Sequence, residues 1–96
     1  MKPSEKLRLH RAAILDVAAA YSTRNVRVFG SVLHGSDTEN SDFDILVDPT
    51  PETTLFDLGA IRHELQKLLG VQVDVLTPNA LPESFRAEIL AEARPV

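Results

Sequence analysis

Gly30 to Val47 reads Gly-Ser-Val-Leu-His-Gly-Ser-Asp-Thr-Glu-Asn-Ser-Asp-Phe-Asp-Ile-Leu-Val. The hydrophobic run Val26–Phe29 precedes it and predicts a first strand that ends at Gly30. A second strand is predicted from Asp42 to Val47, with alternate side chains on the same face. The carboxylates of Asp42 and Asp44 are therefore expected side by side. Their mutual repulsion favours a divalent cation between them, because hard cations prefer oxygen ligands.

A glycine followed by a small hydroxyl residue, Gly30-Ser31, lies between the first strand and a short helical turn that ends at Leu33 or His34. Glycine lets the backbone approach a ligand closely, and the N–H groups at the start of a helical turn point at an anion. A phosphate cradle beside metal-binding carboxylates indicates nucleotide chemistry.

The remaining elements are predicted from hydrophobic spacing and capping residues. They are a helix over 5–21 capped by Ser4, a helix from Thr53 or Thr54 to Gly70, a strand over 71–77, and a last helix from Pro82 with Phe85, Ile89 and Leu90 facing inward. Gly35–Ser41 is predicted to be an unpacked polar loop with solvated acids at Asp37 and Glu39. Asp48 is expected in the turn before Pro49, and Arg94–Val96 is expected to lack regular structure.

The order α-β-(turn)-β-α-β-α indicates an α+β fold in a single domain spanning residues 1–96. The second strand, the helix after it and the third strand form a β-α-β unit, so those strands are predicted to be parallel. Parallel pairing brings Asp74, on the third strand, level with the two acids of the second strand.

Composition limits the function classes. The formal charge of −4 and pI of about 5.2 argue against direct nucleic-acid binding, which favours a basic surface. The chain has no cysteine and therefore neither a disulfide nor a thiolate metal site. No apolar run is long enough to span a bilayer and no signal peptide is recognisable, so a cytoplasmic protein without membrane association is expected.

The stretch from Val26 to Leu76 resembles the DNA polymerase β-like nucleotidyltransferase superfamily. The shared pattern is Gly30-Ser31, the second glycine Gly35, the acids Asp42 and Asp44, and the later strand acid Asp74. The resemblance implies a palm-like domain with a mixed sheet of three to four strands, in which the first two strands are antiparallel. Many members carry an arginine between the two glycine positions, whereas here the residues are Val32, Leu33 and His34.

The resemblance also implies a role for each motif residue. Asp42 and Asp44 hold two Mg²⁺ ions, which in such sites lie roughly 3.5–4 Å apart. Asp74 holds the ion near the acceptor and takes the acceptor proton. Gly30, Ser31 and Gly35 bind the phosphates of ATP.

Within this superfamily the short chain resembles the minimal nucleotidyltransferases that act as antitoxins. The resemblance implies transfer of AMP from ATP to a hydroxyl of a HEPN-domain RNase toxin, in a complex with that toxin. Two alternatives remain open from the sequence: an antitoxin that neutralises its partner by binding alone, and a transferase acting on a small molecule. The shortness of the chain argues against the second alternative, because it leaves no second domain to enclose a substrate.

Overall fold

The computed structural model describes the whole chain, Met1–Val96. Its elements are α1 (Pro3–Leu9), α2 (Arg11–Ala20), β1 (Thr23–Phe29), α3 (Ser31–His34), β2 (Phe43–Pro49), α4 (Leu55–Leu69), β3 (Val73–Leu76), a 3₁₀ turn (Pro78–Ala80), α5 (Glu83–Glu92) and β4 (Arg94–Pro95). The predicted α+β class is confirmed.

The four strands form one mixed sheet in the order β3-β2-β1-β4. β1 and β2 are antiparallel, and β2 and β3 are parallel, as predicted. Because α4 connects β2 to β3, these elements form the expected crossover unit. β1 begins earlier than predicted, and its pairing with β2 shifts register between Arg24 and Arg27. Asp48 belongs to β2 rather than to a turn, and it pairs there with Arg27 and Asn25.

The two faces of the sheet are covered unequally. One face packs against α2 and α4 in the main core, which includes Phe43, Ile45, Val47, Ile14 and Ile61. The other face carries a smaller cluster of three buried residues, Phe29, Leu46 and Leu81. Ile89 and Ala93 pack against that smaller cluster, so the 3₁₀ turn and α5 cover only part of this face. The uncovered part carries the acidic residues described below.

The boundaries of α4 were correctly predicted from its capping residues. The Thr54 hydroxyl accepts a hydrogen bond from the N–H of Asp57, and the Asp57 carboxylate accepts one from the N–H of Thr54. This reciprocal pair is a capping box. Gly70 ends the helix at φ +67°, in the left-handed region that glycine adopts without steric cost.

The prediction of one helix over 5–21 was wrong. The chain bends at His10, where φ is −111°, so that α1 contacts α3 while α2 contacts β1 and α4. Ser4 is also not the cap: Lys2 occupies that position and the buried Pro3 starts the helix.

Two predictions for the C-terminal region were also wrong. Arg94–Pro95 pairs with β1, and the N–H of the buried Val96 donates to the carbonyl of Val26. Phe85 and Leu90 are exposed rather than inward-facing, because α5 packs on the sheet mainly through Ile89 and Ala93.

Candidate active site

Asp44 and Asp74 lie in one row across the uncovered part of the sheet. Asp44 pairs in register with Phe29 of β1 on one side and with Asp74 of β3 on the other. The register therefore confirms the prediction that Asp74 lies level with Asp44. The pKa of Asp44 is raised to about 6, first because burial removes water from its carboxylate. A hydrogen bond with Asp74 and the negative charges of Asp74 and Asp42 raise this pKa further.

Asp42 lies just before β2 rather than in it, and its side chain is exposed. Its charge contributes to the raised pKa of Asp44, although less than the charge of Asp74 does. In the side-chain conformations of the structure, no group of three His, Cys, Asp or Glu residues is arranged to hold a metal ion. The chain therefore brings Asp44 and Asp74 together and leaves Asp42 at the rim.

Gly30 lies directly against the carboxylate of Asp44. Its φ of +74° and ψ of −151° fall in a region that only glycine readily occupies. A Cβ atom at this position would lie 2.5 Å from Asp44 Oδ2, closer than non-bonded atoms approach. The glycine therefore provides the backbone path from β1 into α3 and also the space for the Asp44 side chain.

Ser31 is the first residue of α3, a helix of four residues that ends at Gly35. The carbonyl of Ser31 accepts hydrogen bonds from the N–H groups of Gly35 and Ser36, the latter at 3.1 Å. Gly35 has a φ of +71° and no atom within 4 Å of where its Cβ would lie. In this structure Gly35 therefore serves to end the helical turn.

The loop after Gly35 is fixed in place rather than unpacked, because Asp37 is buried. Its side chain is 4% exposed, and its Oδ2 accepts a hydrogen bond of 2.9 Å from the N–H of Ser4 in the first turn of α1. Burial alone would raise the pKa of Asp37, but hydrogen bonds from Ser4, a backbone hydrogen bond within Asp37 and the positive charge of Lys2 together lower this pKa below its ordinary value. The expectation of a solvated Asp37 was wrong, whereas Glu39 is exposed as predicted.

The amino-acid sequence matches the family described as "Nucleotidyltransferase domain" over residues 11–96. It is 35% identical over 80 residues to the "Putative protein adenylyltransferase MJ0435" of Methanocaldococcus jannaschii, covering 83% of this chain and 86% of that protein. The chain belongs to the nucleotidyltransferase family. It is also 33% identical over 77 residues to the "Protein adenylyltransferase MntA" of Thermococcus cleftensis, covering 80% of this chain and 78% of that protein.

Solved structures share the fold of this nucleotidyltransferase. One, described as a "putative minimal nucleotidyltransferase", is 40% identical, with a TM-score of 0.86 over 97% of this chain and 95% of the other. Another, described as a toxin-antitoxin with AMP-PNP, has a TM-score of 0.73 at 17% identity, over 97% of this chain and 71% of that chain. At 17% identity, the similarity to this second structure shows only that the two proteins share a fold.

Between Ser31 and Gly35 this nucleotidyltransferase carries no arginine or lysine. His34 Nε2 lies 3.2 Å from a carboxylate oxygen of Glu92 on α5. The imidazole therefore contacts α5.

No helix of the protein combines the length and the apolar character needed to cross a membrane.

Proposed function

We propose that this nucleotidyltransferase is a Mg²⁺-dependent protein adenylyltransferase. It transfers AMP from ATP to a hydroxyl group of a HEPN-domain RNase toxin in the cytoplasm, and it acts as the antitoxin in a complex with that toxin. The observation that carries the proposal is the row formed by Asp44 and Asp74 beside Gly30. The names of the relatives support protein adenylylation, and the description of one structural neighbour supports the toxin–antitoxin setting.

The donor set suits a hard divalent cation, because Asp42, Asp44 and Asp74 supply only carboxylate oxygens. The pKa of Asp44 is raised first by burial and further by the negative charges of Asp74 and Asp42, and a bound cation would offset that repulsion. Asp42 and Asp44 would hold two Mg²⁺ ions, and Asp74 would hold the one on the acceptor side. When bound, such ions stabilise charge on the attacking and leaving oxygens.

The residues of this chain would share the remaining work. The Ser31 hydroxyl and the backbone after Gly30 bind the β- and γ-phosphates of ATP, and Gly35 keeps the following loop close to them. Asp74 accepts the proton of the acceptor hydroxyl while the hydroxyl oxygen forms a bond to the α-phosphorus. The bond from the α-phosphorus to the bridging oxygen breaks, and pyrophosphate leaves.

Intact-mass spectrometry of the partner tests this proposal. The chain and the proposed HEPN-domain partner are incubated with ATP and Mg²⁺, with the Asp42→Asn/Asp44→Asn variant as the control. We expect the mass of the partner to increase by one or more AMP residues with the wild-type chain and to stay unchanged with the double variant. A stable complex whose partner mass never changes would instead support neutralisation by binding alone.

A further inference from the structure

We propose that the outer face of α4 is an interface between two copies of this chain, which pack antiparallel about a twofold axis. This face is formed by four exposed residues at intervals of three or four, namely Phe56, Gly59, His63 and Lys67. Leu55 at its margin and Phe56 are the most exposed of the large hydrophobic side chains, at 85% and 90%. The Thr54 hydroxyl caps this end of α4, so the exposure does not result from fraying. Adjacent apolar side chains on a fixed helix favour contact with another protein surface.

Gly59 indicates that the covering surface comes close to the backbone of α4. Glycine lowers the stability of a helix relative to alanine. Nothing within the chain requires glycine here, because the backbone at Gly59 is helical and no atom lies within 4 Å of where an added Cβ would lie. The axes of two packed helices come closer when the side chains at the contact are small. Since Ala60 follows Gly59, the closest approach of a second helix is expected at these two residues.

The outer face of α4 is self-complementary when a second copy lies antiparallel to it. We place the twofold axis midway between Gly59 and Ala60. Phe56 then lies level with His63 of the second copy, because the two residues are equally far from the axis along the helix. Two aromatic rings side by side at this level can stack. The symmetry repeats the contact, so both exposed phenylalanines are covered.

The charges at the two ends of α4 favour the antiparallel arrangement. Glu52 precedes the helix, and Lys67 lies in its last turn. Neither residue belongs to an ion pair of the chain, and Glu52 accepts a hydrogen bond only from the nearby Thr50 hydroxyl. Antiparallel packing brings Glu52 of one copy close to Lys67 of the other, whereas parallel packing would bring like charges together. The remaining acids and the arginine of α4 make hydrogen bonds within the chain, namely Asp57, Arg62 and Glu64.

This interface would leave both active sites open. α4 packs on one face of the sheet through Ile61 and Leu65. Asp44 lies on the opposite face, because it alternates along β2 with the core residues Phe43 and Ile45. The outer face of α4 therefore points away from the acids, and the dimer does not depend on the reaction proposed above.

Sedimentation velocity of the full chain alone tests the interface. The protein is measured from about 1 to about 500 µM, because an interface formed by one helix is small. We expect a monomer–dimer equilibrium. Phe56→Asp should raise the dissociation constant of the dimer about tenfold or more, because each interface loses two buried rings. Phe85→Asp, which changes an exposed phenylalanine of α5, is the matched control and should leave the dissociation constant near its wild-type value.

A charge exchange tests the antiparallel arrangement. Glu52→Lys and Lys67→Glu should each raise the dissociation constant about two- to tenfold, because like charges then meet at both ends of the contact. The double variant Glu52→Lys/Lys67→Glu should recover most of the loss, since opposite charges face each other again. A double variant that dimerises no better than either single variant would overturn this arrangement.

An introduced cysteine tests the position of the axis, because the chain has none of its own. Ala60→Cys should form a covalent dimer under air oxidation, since a disulfide requires Cα atoms within about 7 Å of each other. Ala91→Cys, at an exposed alanine of α5, is the control and should stay monomeric. Equal cross-linking of the two variants would contradict an axis beside Ala60.

Two further results would overturn the interface itself. One is a wild-type chain that stays monomeric throughout the concentration range. The other is a dimer that Phe56→Asp leaves as stable as wild type. If the chain does not self-associate and Phe56→Asp instead abolishes binding to the HEPN-domain protein, the outer face of α4 belongs to that protein and not to a second copy.

Discussion

Substitution of Gly30 by alanine is expected to disable the site through a contact that the structure locates. The added Cβ would meet Asp44 Oδ2 at 2.5 Å. Either the Asp44 side chain rotates away or the backbone at position 30 shifts, and both movements change where the carboxylate lies relative to Asp74. Because a misplacement of about 1 Å can cost about a hundredfold in rate, we expect transfer to fall by that factor or more.

The expected loss of stability follows from the backbone angles. At φ +74° and ψ −151°, a residue with a side chain is strained by about 1–3 kcal/mol. Gly35→Ala is the matched control, because Gly35 has a similar φ of +71° but nothing within 4 Å of the added Cβ. Its left-handed conformation should cost about 1–2 kcal/mol in the free energy of unfolding.

The assay combines urea unfolding with the rate of AMP transfer to the partner for both variants. Both should lose stability, but Gly30→Ala should lose more of its transfer rate than Gly35→Ala, because only the Cβ added at Gly30 meets the Asp44 carboxylate. A Gly30→Ala protein with wild-type transfer would refute the argument that Asp44 needs the space beside Gly30. Equal losses of transfer in the two variants would show that strain, rather than contact with Asp44, is responsible.

Three further substitutions test individual acids. Asp44→Asn should abolish transfer yet raise the melting temperature at pH 7.5. The pKa of Asp44 in the folded state, about 6, exceeds its ordinary value of 3.8, so the stability of the wild-type protein falls as the pH rises between these values. A variant that melts no higher than wild type would contradict this reasoning. Asp74→Asn should slow transfer by about a hundred- to ten-thousand-fold, with an ATP affinity that calorimetry finds nearly unchanged. An equal fall in ATP affinity would instead show that Asp74 binds on the phosphate side. Asp37→Ala should lower the free energy of unfolding by about 0.5–2 kcal/mol at pH 7 through loss of the bond to Ser4. Because the pKa of Asp37 is lowered in the folded state, its contribution is present above its ordinary value of 3.8 and disappears as pH falls below it, so urea unfolding should show the two proteins converging in acid.

The sequence predicted those parts of the fold that depend on local patterns. The helix α4 was delimited by Gly70 and by a cap at Thr53 or Thr54, and the strand periodicity assigned Asp44 and Asp74 each to one face of its own strand. The crossover rule then made β2 and β3 parallel, which brought the two acids level.

What the sequence did not reveal depends on contacts between distant residues. Asp37 bonds to Ser4 across 33 positions, and a polar loop composition contains no signal for that bond. The pairing of Arg94–Pro95 with β1 is likewise long-range, in a segment too short to show a strand period. The bend at His10 follows from α1 packing on α3 while α2 packs on β1.

The most direct test of the central claim uses ATP labelled at a chosen phosphorus. The chain is incubated with the proposed HEPN-domain partner, Mg²⁺ and ATP radiolabelled at either the α- or the γ-position, and the partner is then separated and counted. Nucleotidyl transfer at the Asp42, Asp44 and Asp74 site predicts label on the partner from α-labelled ATP only, with none when Mg²⁺ is chelated or when Asp42 and Asp44 are both asparagine. Label from γ-labelled ATP, or α-label that persists in the double variant, would contradict it.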